Sequence, residues 1–223
     1  MSILHLSHIT KSYPDGEHTR NEVLRDINME VDAGAFIAIT GASGSGKTTL
    51  LSILGLLIPP DGGSYRLDGE ETFAPSVDRT VIRNRKIGFV FQEHRLLPQY
   101  TALDNILLPT LAFQRQADAS QITYARQLME LTGIAALERK YPPTLSGGES
   151  SRTALCRALV MKPVLLLADE PTGQLDAVSS QTIVSLLRQI NKELGTTILM
   201  VTHSPEVAAT THHIQTLENG IIK

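Results

Sequence analysis

Short apolar runs recur along the chain, separated by turn residues and by stretches with helical spacing. Residues 179–194 carry apolar side chains at the three- and four-residue spacing of one buried helix face. The pair Asn219-Gly220, between two apolar positions, predicts a hairpin turn. The runs that predict strands are residues 3–6, 36–40, 87–91, 164–168, 197–202 and 213–217. This alternation of strands and helices predicts an α/β core around a mostly parallel sheet.

The pattern changes between residues 92 and 163. Strand patterns disappear there and helical spacing dominates, punctuated by prolines such as Pro98, Pro109 and Pro142. We therefore predict one domain over residues 1–223. Its core comprises residues 1–91 and 164–223, and residues 92–163 form a helical subdomain inserted into that core.

The composition is that of an ordinary soluble globular protein, with 223 residues, 42% hydrophobic and 19% charged. A formal net charge of -3 argues against nucleic acid as the main partner. The single cysteine, Cys156, excludes an internal disulfide and fits a reducing compartment. No apolar run approaches the ~20 residues of a membrane span, and the amino terminus lacks the features of a signal peptide. We therefore expect a cytoplasmic protein whose membrane role must come through a partner.

One glycine-rich loop indicates phosphate binding. It lies between the predicted strand 36–40 and a helical stretch, which is where a G-x-x-x-x-G-K-[ST] loop must lie. Small residues let backbone N–H groups point at phosphate oxygens, and the helix N-terminus adds positive potential. Lys47 would reach the β- and γ-phosphates and Thr48 would place its hydroxyl on Mg²⁺; the alternative is a simple turn. The loop consists of Gly41, Ala42, Ser43, Gly44, Ser45, Gly46, Lys47 and Thr48.

Two adjacent carboxylates, Asp169 and Glu170, follow the apolar run 164–168. Ligands bind at the carboxyl ends of strands in open α/β sheets. Asp169 suits a direct or water-mediated Mg²⁺ contact, and Glu170 suits polarising a water for attack on the γ-phosphate. The alternative is that the two acids cap the next helix.

A second candidate anion site lies at LSGGE, where glycines precede a helical pattern. One nucleotide does not require two phosphate-binding helix starts about a hundred residues apart. The alternative is an ordinary serine N-cap. The stretch consists of Leu145, Ser146, Gly147, Gly148 and Glu149.

Together these motifs resemble those of the ATP-binding-cassette ATPases over essentially the whole chain. The resemblance implies a P-loop NTPase core with a mostly parallel sheet, an antiparallel β subdomain and an inserted α-helical subdomain. It implies ATP and Mg²⁺ as ligands, and head-to-tail pairing with a second copy. Each ATP would lie between the loop 41–48 of one copy and LSGGE of the other. The matching elements, in the family's order, are GASGSGKT, Gln92, LSGGE, LLLADE, Asp176 in GQLD, and His203.

The resemblance also assigns roles to residues outside the glycine-rich loop. Tyr13 matches the aromatic that stacks on adenine, although it could simply cover the core. Gln92 matches the sensor of Mg²⁺ and γ-phosphate, although it could be a solvated strand end. His203 would contact the γ-phosphate and orient the attacking water, although a histidine after a strand is usually structural. Thr49 and Asp176 complete the predicted nucleotide site.

The sequences of four stretches resemble those of one bacterial branch of the family, which includes lipoprotein-release, macrolide-export and peptide-resistance ATPases. This resemblance implies an ATPase that powers an inner-membrane export or extraction complex through an integral membrane permease subunit, and lies peripherally on the membrane's inner face. The alternatives are a module driving a non-transport membrane partner, in cell division or sensing, and a soluble ATPase acting on DNA or ribosomes. Ser150 and Ser151 replace the pair of glutamines that is more usual after LSGGE in the family, and Gln174 stands where Asn or Ala is common. The four stretches are RNRKIGFVFQ, LLPQYTALDNILLP, LLLADEPTGQLD and MVTHSPEVA.

The segment after Gln92 is the predicted docking site for the membrane partner. In the family the helical subdomain begins near that glutamine, so the γ-phosphate can move the segment. Leu96, Leu97 and Tyr100 are bulky apolar groups beside a proline, where loops normally carry such residues only if something covers them. The alternative is that Leu96 and Leu97 pack into the subdomain's own core.

Overall fold

A computed structural model describes residues 1–16 and 19–223, and within them the chain forms two sheets and seven α-helices. The strands are β1 (Ser2–Pro14), β2 (Arg20–Asp32), β3 (Phe36–Thr40), β4 (Gly62–Leu67), β5 (Glu70–Glu71), β6 (Ile87–Val90), β7 (Leu165–Asp169), β8 (Thr197–Val201), β9 (His213–Glu218) and β10 (Ile221–Ile222). The helices are α1 (Lys47–Leu54), α2 (Arg79–Lys86), α3 (Ala102–Leu107), α4 (Ala119–Leu131), α5 (Gly147–Leu159), α6 (Ala177–Leu194) and α7 (Pro205–Ala208). Short 3₁₀ turns lie at Leu108–Ala112, Ala135–Leu137 and Pro142–Thr144.

The larger sheet has the order β10-β9-β3-β8-β7-β6. Neighbouring strands in this sheet run parallel, with one exception. The exception is the antiparallel pair of β9 and β10, which forms the hairpin predicted at Asn219 and Gly220. Both turn residues have positive φ, 50° and 76°, as that turn requires. Because the remaining strands are parallel, their carboxyl ends meet at one edge of the sheet, where the motif-bearing loops begin.

The smaller sheet is antiparallel, with the order β2-β1-β4-β5. The predicted strand 3–6 is only the first part of β1, and β2 and β4 were not predicted. His8 and Asp26 adopt left-handed φ values of 53° and 56° beside irregularities in the β1–β2 register. Inward-facing side chains, among them Leu4 and Tyr65, are fully buried against the larger sheet. The antiparallel β subdomain of the predicted fold class is therefore present.

Two apolar clusters cover the two faces of the larger sheet. On one face, Leu165 and Leu167 of β7 pack with α1 and the antiparallel sheet. On the other face, Leu166 and Ala168 pack with α3, α4, α5 and α6. The alternation along β7 is the period-two pattern of a strand buried on both sides.

Residues 92–163, all of which the structure describes, contain helices and 3₁₀ turns but no strand. Their buried side chains, such as Leu128 and Leu155, belong to the same apolar cluster as Leu166 of the sheet. One apolar cluster thus contains residues from both sides of the boundaries predicted at residues 92 and 163. The division of the chain into a core and a helical subdomain therefore stays a prediction. In the described part of the chain no helix is both long and apolar enough to cross a membrane.

Candidate active site

The glycine-rich loop lies where predicted, between the end of β3 and the start of α1. Gly41 has φ 148°, and a Cβ there would lie 2.2 Å from the carbonyl oxygen of Leu217. Gly46 has φ 104°, and a Cβ there would contact Leu24 and Val23 at about 3 Å or less. Any larger residue at either position would therefore distort the loop, because both the backbone angle and the space require glycine.

Lys47, the first residue of α1, folds back over its own loop. Its Nζ donates hydrogen bonds to the carbonyl oxygens of Gly41 and Ala42, each at 2.8 Å. The side chain is buried, and this burial lowers the pKa of Lys47, while the nearby Glu170 and Asp169 carboxylates partly restore it. The loop thus holds a partly desolvated positive charge that can move onto an anion.

Asp169 and Glu170 occupy the carboxyl end of β7 and the residue after it. Burial raises the pKa of Asp169, and the charges of Lys47, Arg95 and His203 partly oppose that rise. Glu170 has a left-handed φ of 46°, and its N–H donates to the carbonyl of Val201 on β8. The next long helix, α6, is capped by Asp176 instead, so the alternative that the two acids cap a helix is excluded.

His203 follows β8 and lies against Glu170. Its backbone N–H donates to Glu170 Oε2 at 3.3 Å, and its Nε2 lies 3.3 Å from Glu170 Oε1. The latter pair lacks hydrogen-bond geometry, so Oε1 is a buried oxygen without a hydrogen-bond donor among the described residues. Such an oxygen can accept a proton from a water molecule.

A cavity of about 570 Å³ brings most of the predicted residues together. The motif residues on its walls are Ser43, Gly44, Gly46, Lys47, Thr48, Thr49, Gln92, Asp169, Glu170 and His203. They meet because β3, β6, β7 and β8 are neighbouring parallel strands that end at the same edge. Val23, Gly173 and Val201 also line the cavity and were not predicted. Val23 lies on the unpredicted strand β2, and neither it nor Gly173 bears a chemical group that marks a site.

The remaining predicted residues lie outside this cavity. LSGGE forms the start of α5, where Ser146 is the N-cap and exchanges hydrogen bonds with Glu149 in a capping box. The ordinary N-cap geometry is therefore present, and Ser146 and Gly147 are exposed. Tyr13 is partly exposed near the end of β1, and Asp176 is the exposed N-cap of α6. None of these residues lines the cavity beside the phosphate loop.

The cavity fits a magnesium ion that is shared with phosphates. Thr48, Gln92 and Asp169 provide hydroxyl, amide and carboxylate oxygens, the ligand types that Mg²⁺ prefers. Ser45 Oγ, in the same loop, is buried and has no hydrogen-bond partner among the described residues. No group of three His, Cys, Asp or Glu residues suited to a metal occurs in residues 1–16 or 19–223. A cage made only of protein ligands is not needed, because Mg²⁺ usually completes its shell with water and substrate phosphates.

Comparisons with known proteins match most of the chain. The family model described as "ABC transporter" matches residues 24–173. The "Lipoprotein-releasing system ATP-binding protein LolD" of Bordetella pertussis is 45% identical over 218 residues, which cover 97% of this chain and 94% of that protein. The protein of the same name from Shewanella oneidensis is 42% identical over 222 residues, covering 99% and 96%.

Solved structures resemble the whole chain as well. The dimeric post-hydrolysis structure of the ATP-binding cassette MJ0796, bound to ADP and Pi, superposes with a TM-score of 0.88 at 35% identity and covers 99% of this chain and 97% of its own. The structure of cbiO1 from Clostridium perfringens, part of the complex cbiONQ, has a TM-score of 0.87 at 27% identity, with coverage of 100% and 87%.

Proposed function

This chain belongs to the ABC transporter family as an ATP-binding and ATP-hydrolysing cassette, and from that premise we propose that it powers a lipoprotein-releasing complex of the bacterial inner membrane. The observation that carries the proposal is its 45% identity, over 97% of its length, to a LolD protein. The integral membrane subunit of that complex would hold the cassette on the inner face of the membrane. Neither nucleic acid nor the ribosome is its partner in this proposal.

The cavity residues divide the work of hydrolysis among them. The ammonium of Lys47 leaves the carbonyls of Gly41 and Ala42 and neutralises the β- and γ-phosphates of ATP. Thr48, Gln92 and Asp169 would hold Mg²⁺, which draws charge from the phosphates when it is bound.

Glu170 is the proposed general base. Its free Oε1 accepts the proton of a water that attacks the γ-phosphate in line with the leaving oxygen of ADP. His203 fixes the carboxylate through its backbone N–H and places its imidazole beside the same oxygen. Residues 41–49 supply backbone N–H groups to the phosphates, and Tyr13 would stack on the adenine.

A second copy of the chain completes the proposed site. Residues 145–149 lie at the start of α5, where Ser146 and Gly147 are exposed, and none of them lines the cavity, which favours contact with a nucleotide held by another molecule. Asp176, exposed at the start of α6, would lie at the same interface. The dimeric form of a structural neighbour supports this arrangement.

The membrane subunit is proposed to dock beside residues 96–100. Leu97 and Tyr100 are 38% and 40% exposed, which supports docking, whereas Leu96 is half-buried, which fits the alternative that Leu96 and Leu97 pack into the subdomain core for Leu96 only. A groove of about 300 Å³ is lined in part by Phe89, Pro109 and Arg157, and Arg157 also binds the carbonyl oxygens of His94 and Arg95, just before this segment. Exposed apolar side chains that lie close together are typical of interaction sites.

Reconstitution of the cassette with purified membrane subunits tests this proposal. We expect that Leu97→Ser with Tyr100→Ser preserves ATP hydrolysis by the isolated cassette and removes its stimulation by the membrane subunits and a bound lipoprotein. Leu194→Ser, at an equally exposed apolar position at the end of α6, is the matched control and should behave like wild type. Full stimulation of the double variant would contradict docking at this site. A membrane partner that stimulates hydrolysis without any lipoprotein would favour the cell-division or sensing alternative.

A further inference from the structure

Residues 94–101, which follow Gln92 and Glu93, are held to the helical part of the chain by hydrogen bonds near both ends of the segment. His94 and Arg95 adopt consecutive left-handed φ values of 55° and 49°. Neither residue is glycine, and such conformations persist only where surrounding contacts impose them. The contacts that impose this shape come mainly from two side chains on different helices, Arg157 of α5 and Asn105 of α3.

Arg157 binds the first half of the segment. Its guanidinium donates one hydrogen bond to the carbonyl oxygen of Arg95, at 2.7 Å, and another to the carbonyl oxygen of His94. A planar guanidinium can serve two neighbouring carbonyls at once, which a single ammonium does less well. The imidazole of His94 adds a third contact to α5, with Nε2 3.3 Å from the buried hydroxyl of Ser151.

Asn105 binds the second half. It is 0% exposed, and its Oδ1 accepts a hydrogen bond from the N–H of Leu97 at 2.7 Å. Its Nδ2 lies within 3.1 Å of the carbonyl oxygens of Leu97, Tyr100 and Thr101. Both ends of this buried amide are therefore used to shape the loop that carries the exposed Leu97 and Tyr100.

The two residues before the segment have no such attachment. Gln92 and Glu93 are exposed, and within residues 1–16 and 19–223 no side-chain hydrogen bond reaches the backbone of either one. On the other side, Phe91 stacks on Phe89 of β6, with ring centroids 4.1 Å apart. The turn that leads into the segment is closed by the N–H of His94, which donates to the carbonyl oxygen of Phe91 at 3.1 Å, and the guanidinium of Arg95 lies 4.1 Å from the centroid of the Phe91 ring.

We propose that Arg157 and Asn105 are positioning residues that fix residues 94–101 to the helical part as a preformed docking piece. The identity of what docks on Leu97 and Tyr100 rests on the proposed function, whereas the anchoring itself does not.

Residue-resolved hydrogen exchange on the isolated, nucleotide-free chain tests the anchoring. We expect Asn105→Ala to speed exchange of the Leu97 amide about tenfold, because that amide loses its only acceptor. Arg157→Met, which keeps the apolar stem, releases the carbonyl oxygens of His94 and Arg95, so the amides of these residues, whose acceptors are the carbonyl oxygens of Phe91 and Glu93, should exchange faster by a smaller factor, and Arg157→Lys should restore part of the protection. The amides of β7 should not change in any of the variants.

A matched control separates positioning from general stability. Arg126 also lies in the helical part, where it pairs with Glu138 on the surface, so Arg126→Met removes a comparable side chain without touching the segment. Unchanged exchange over residues 93–101 in both Arg157→Met and Asn105→Ala would overturn the proposal. Faster exchange spread equally over β7 and the helices would overturn it too, because both residues would then act only on global stability.

A second measurement uses the membrane subunits. Asn105→Ala should keep hydrolysis by the isolated cassette within about twofold of wild type and should reduce stimulation by the membrane subunits at least fivefold. If Leu97→Ser with Tyr100→Ser leaves stimulation intact, the docking proposal fails, while hydrogen exchange still decides whether the segment is anchored. Full stimulation of Asn105→Ala, with docking at Leu97 established, would overturn the inference that the docking piece must be preformed.

Discussion

Replacing Lys47 with alanine removes the one ammonium that lies inside the glycine-rich loop. In the nucleotide-free structure that ammonium satisfies the carbonyls of Gly41 and Ala42 at 2.8 Å. After the substitution both carbonyls can turn to water in the open cavity. Burial already lowers the pKa of Lys47, so the lost bonds are offset in part by relief of desolvation. We expect the free energy of unfolding to change by less than about 1 kcal/mol.

The effect of Lys47→Ala on ATP binding and hydrolysis is larger. A hydrogen bond between charged groups contributes about 1.5–3 kcal/mol, so loss of the lysine's contact to the phosphates should weaken ATP binding roughly tenfold to a hundredfold. Hydrolysis should be abolished, because the charge that develops on the phosphates is no longer neutralised. The measurements are isothermal titration with Mg-ATP and phosphate release at saturating nucleotide.

Two controls make this experiment decisive. Lys47→Met keeps most of the side-chain volume and should lose hydrolysis as Lys47→Ala does, which assigns the effect to charge. Lys192→Met removes an ammonium from the last turn of α6, outside the cavity, and should retain wild-type rates. Phosphate release by Lys47→Ala near the wild-type rate would refute the role of Lys47.

Three further predictions concern single side chains. Glu170→Gln keeps the acceptor for the His203 N–H but loses the base, so phosphate release should fall about 10²- to 10⁴-fold with ATP binding intact; a fall below tenfold in a single-turnover assay would argue for another base. The pKa of Asp61 is lowered to about 2, mainly by the side-chain hydrogen bond from Lys11. The contribution of the ionised Asp61 to the free energy of unfolding is therefore present near neutral pH and is lost as pH falls from about 4 through 2. Asp61→Asn should therefore cost about 1 kcal/mol at pH 7, after allowance for solvent screening, and progressively less as the pH falls to 2 and below in urea titrations; a difference that does not depend on pH would contradict this. Burial raises the pKa of Cys156 to about 12, so the folded protein should resist a thiol reagent at pH 8 that labels the unfolded chain at once.

The larger sheet and most of its site follow from the sequence, because each motif lies at the end of an apolar run. Once β3, β6, β7 and β8 are parallel neighbours, Lys47, Gln92, Asp169 and His203 must meet at one edge. The boundaries shift by a residue or two for local reasons. The predicted helix 179–194 begins at Ala177, since Asp176 accepts hydrogen bonds from the N–H groups of Val178 and Ser179.

The antiparallel sheet was harder to predict from the residues themselves. In β2 the buried positions include Leu24, Ile27 and Met29, so the inward-facing pattern changes phase at Asp26, which has a positive φ. A period-two search does not tolerate that break. The outward-facing residues of β2 are polar or charged, and the strand therefore looks like a loop in sequence. Val23, which lines the cavity of the candidate active site, was missed for this reason.

The segment after Gln92 shows a different limit of sequence reasoning. Its apolar residues indicate exposure and a partner, and the exposure of Leu97 and Tyr100 agrees with that. The side chains that shape it come from Arg157, more than fifty residues away, and from the interior amide of Asn105. Nothing in the spacing of these residues indicates that they meet, because the contacts depend on how α3 and α5 pack.

ATP-dependent pairing of two copies is the central claim, and light scattering coupled to size-exclusion chromatography measures it directly. Glu170→Gln at saturating Mg-ATP should elute at twice the monomer mass, since hydrolysis no longer separates the copies, and the same protein with ADP should be monomeric. Glu170→Gln combined with Gly147→Asp, which sets a carboxylate opposite the phosphates, should stay monomeric with ATP. A monomer of Glu170→Gln at saturating ATP, or a dimer that survives Gly147→Asp, would contradict the account.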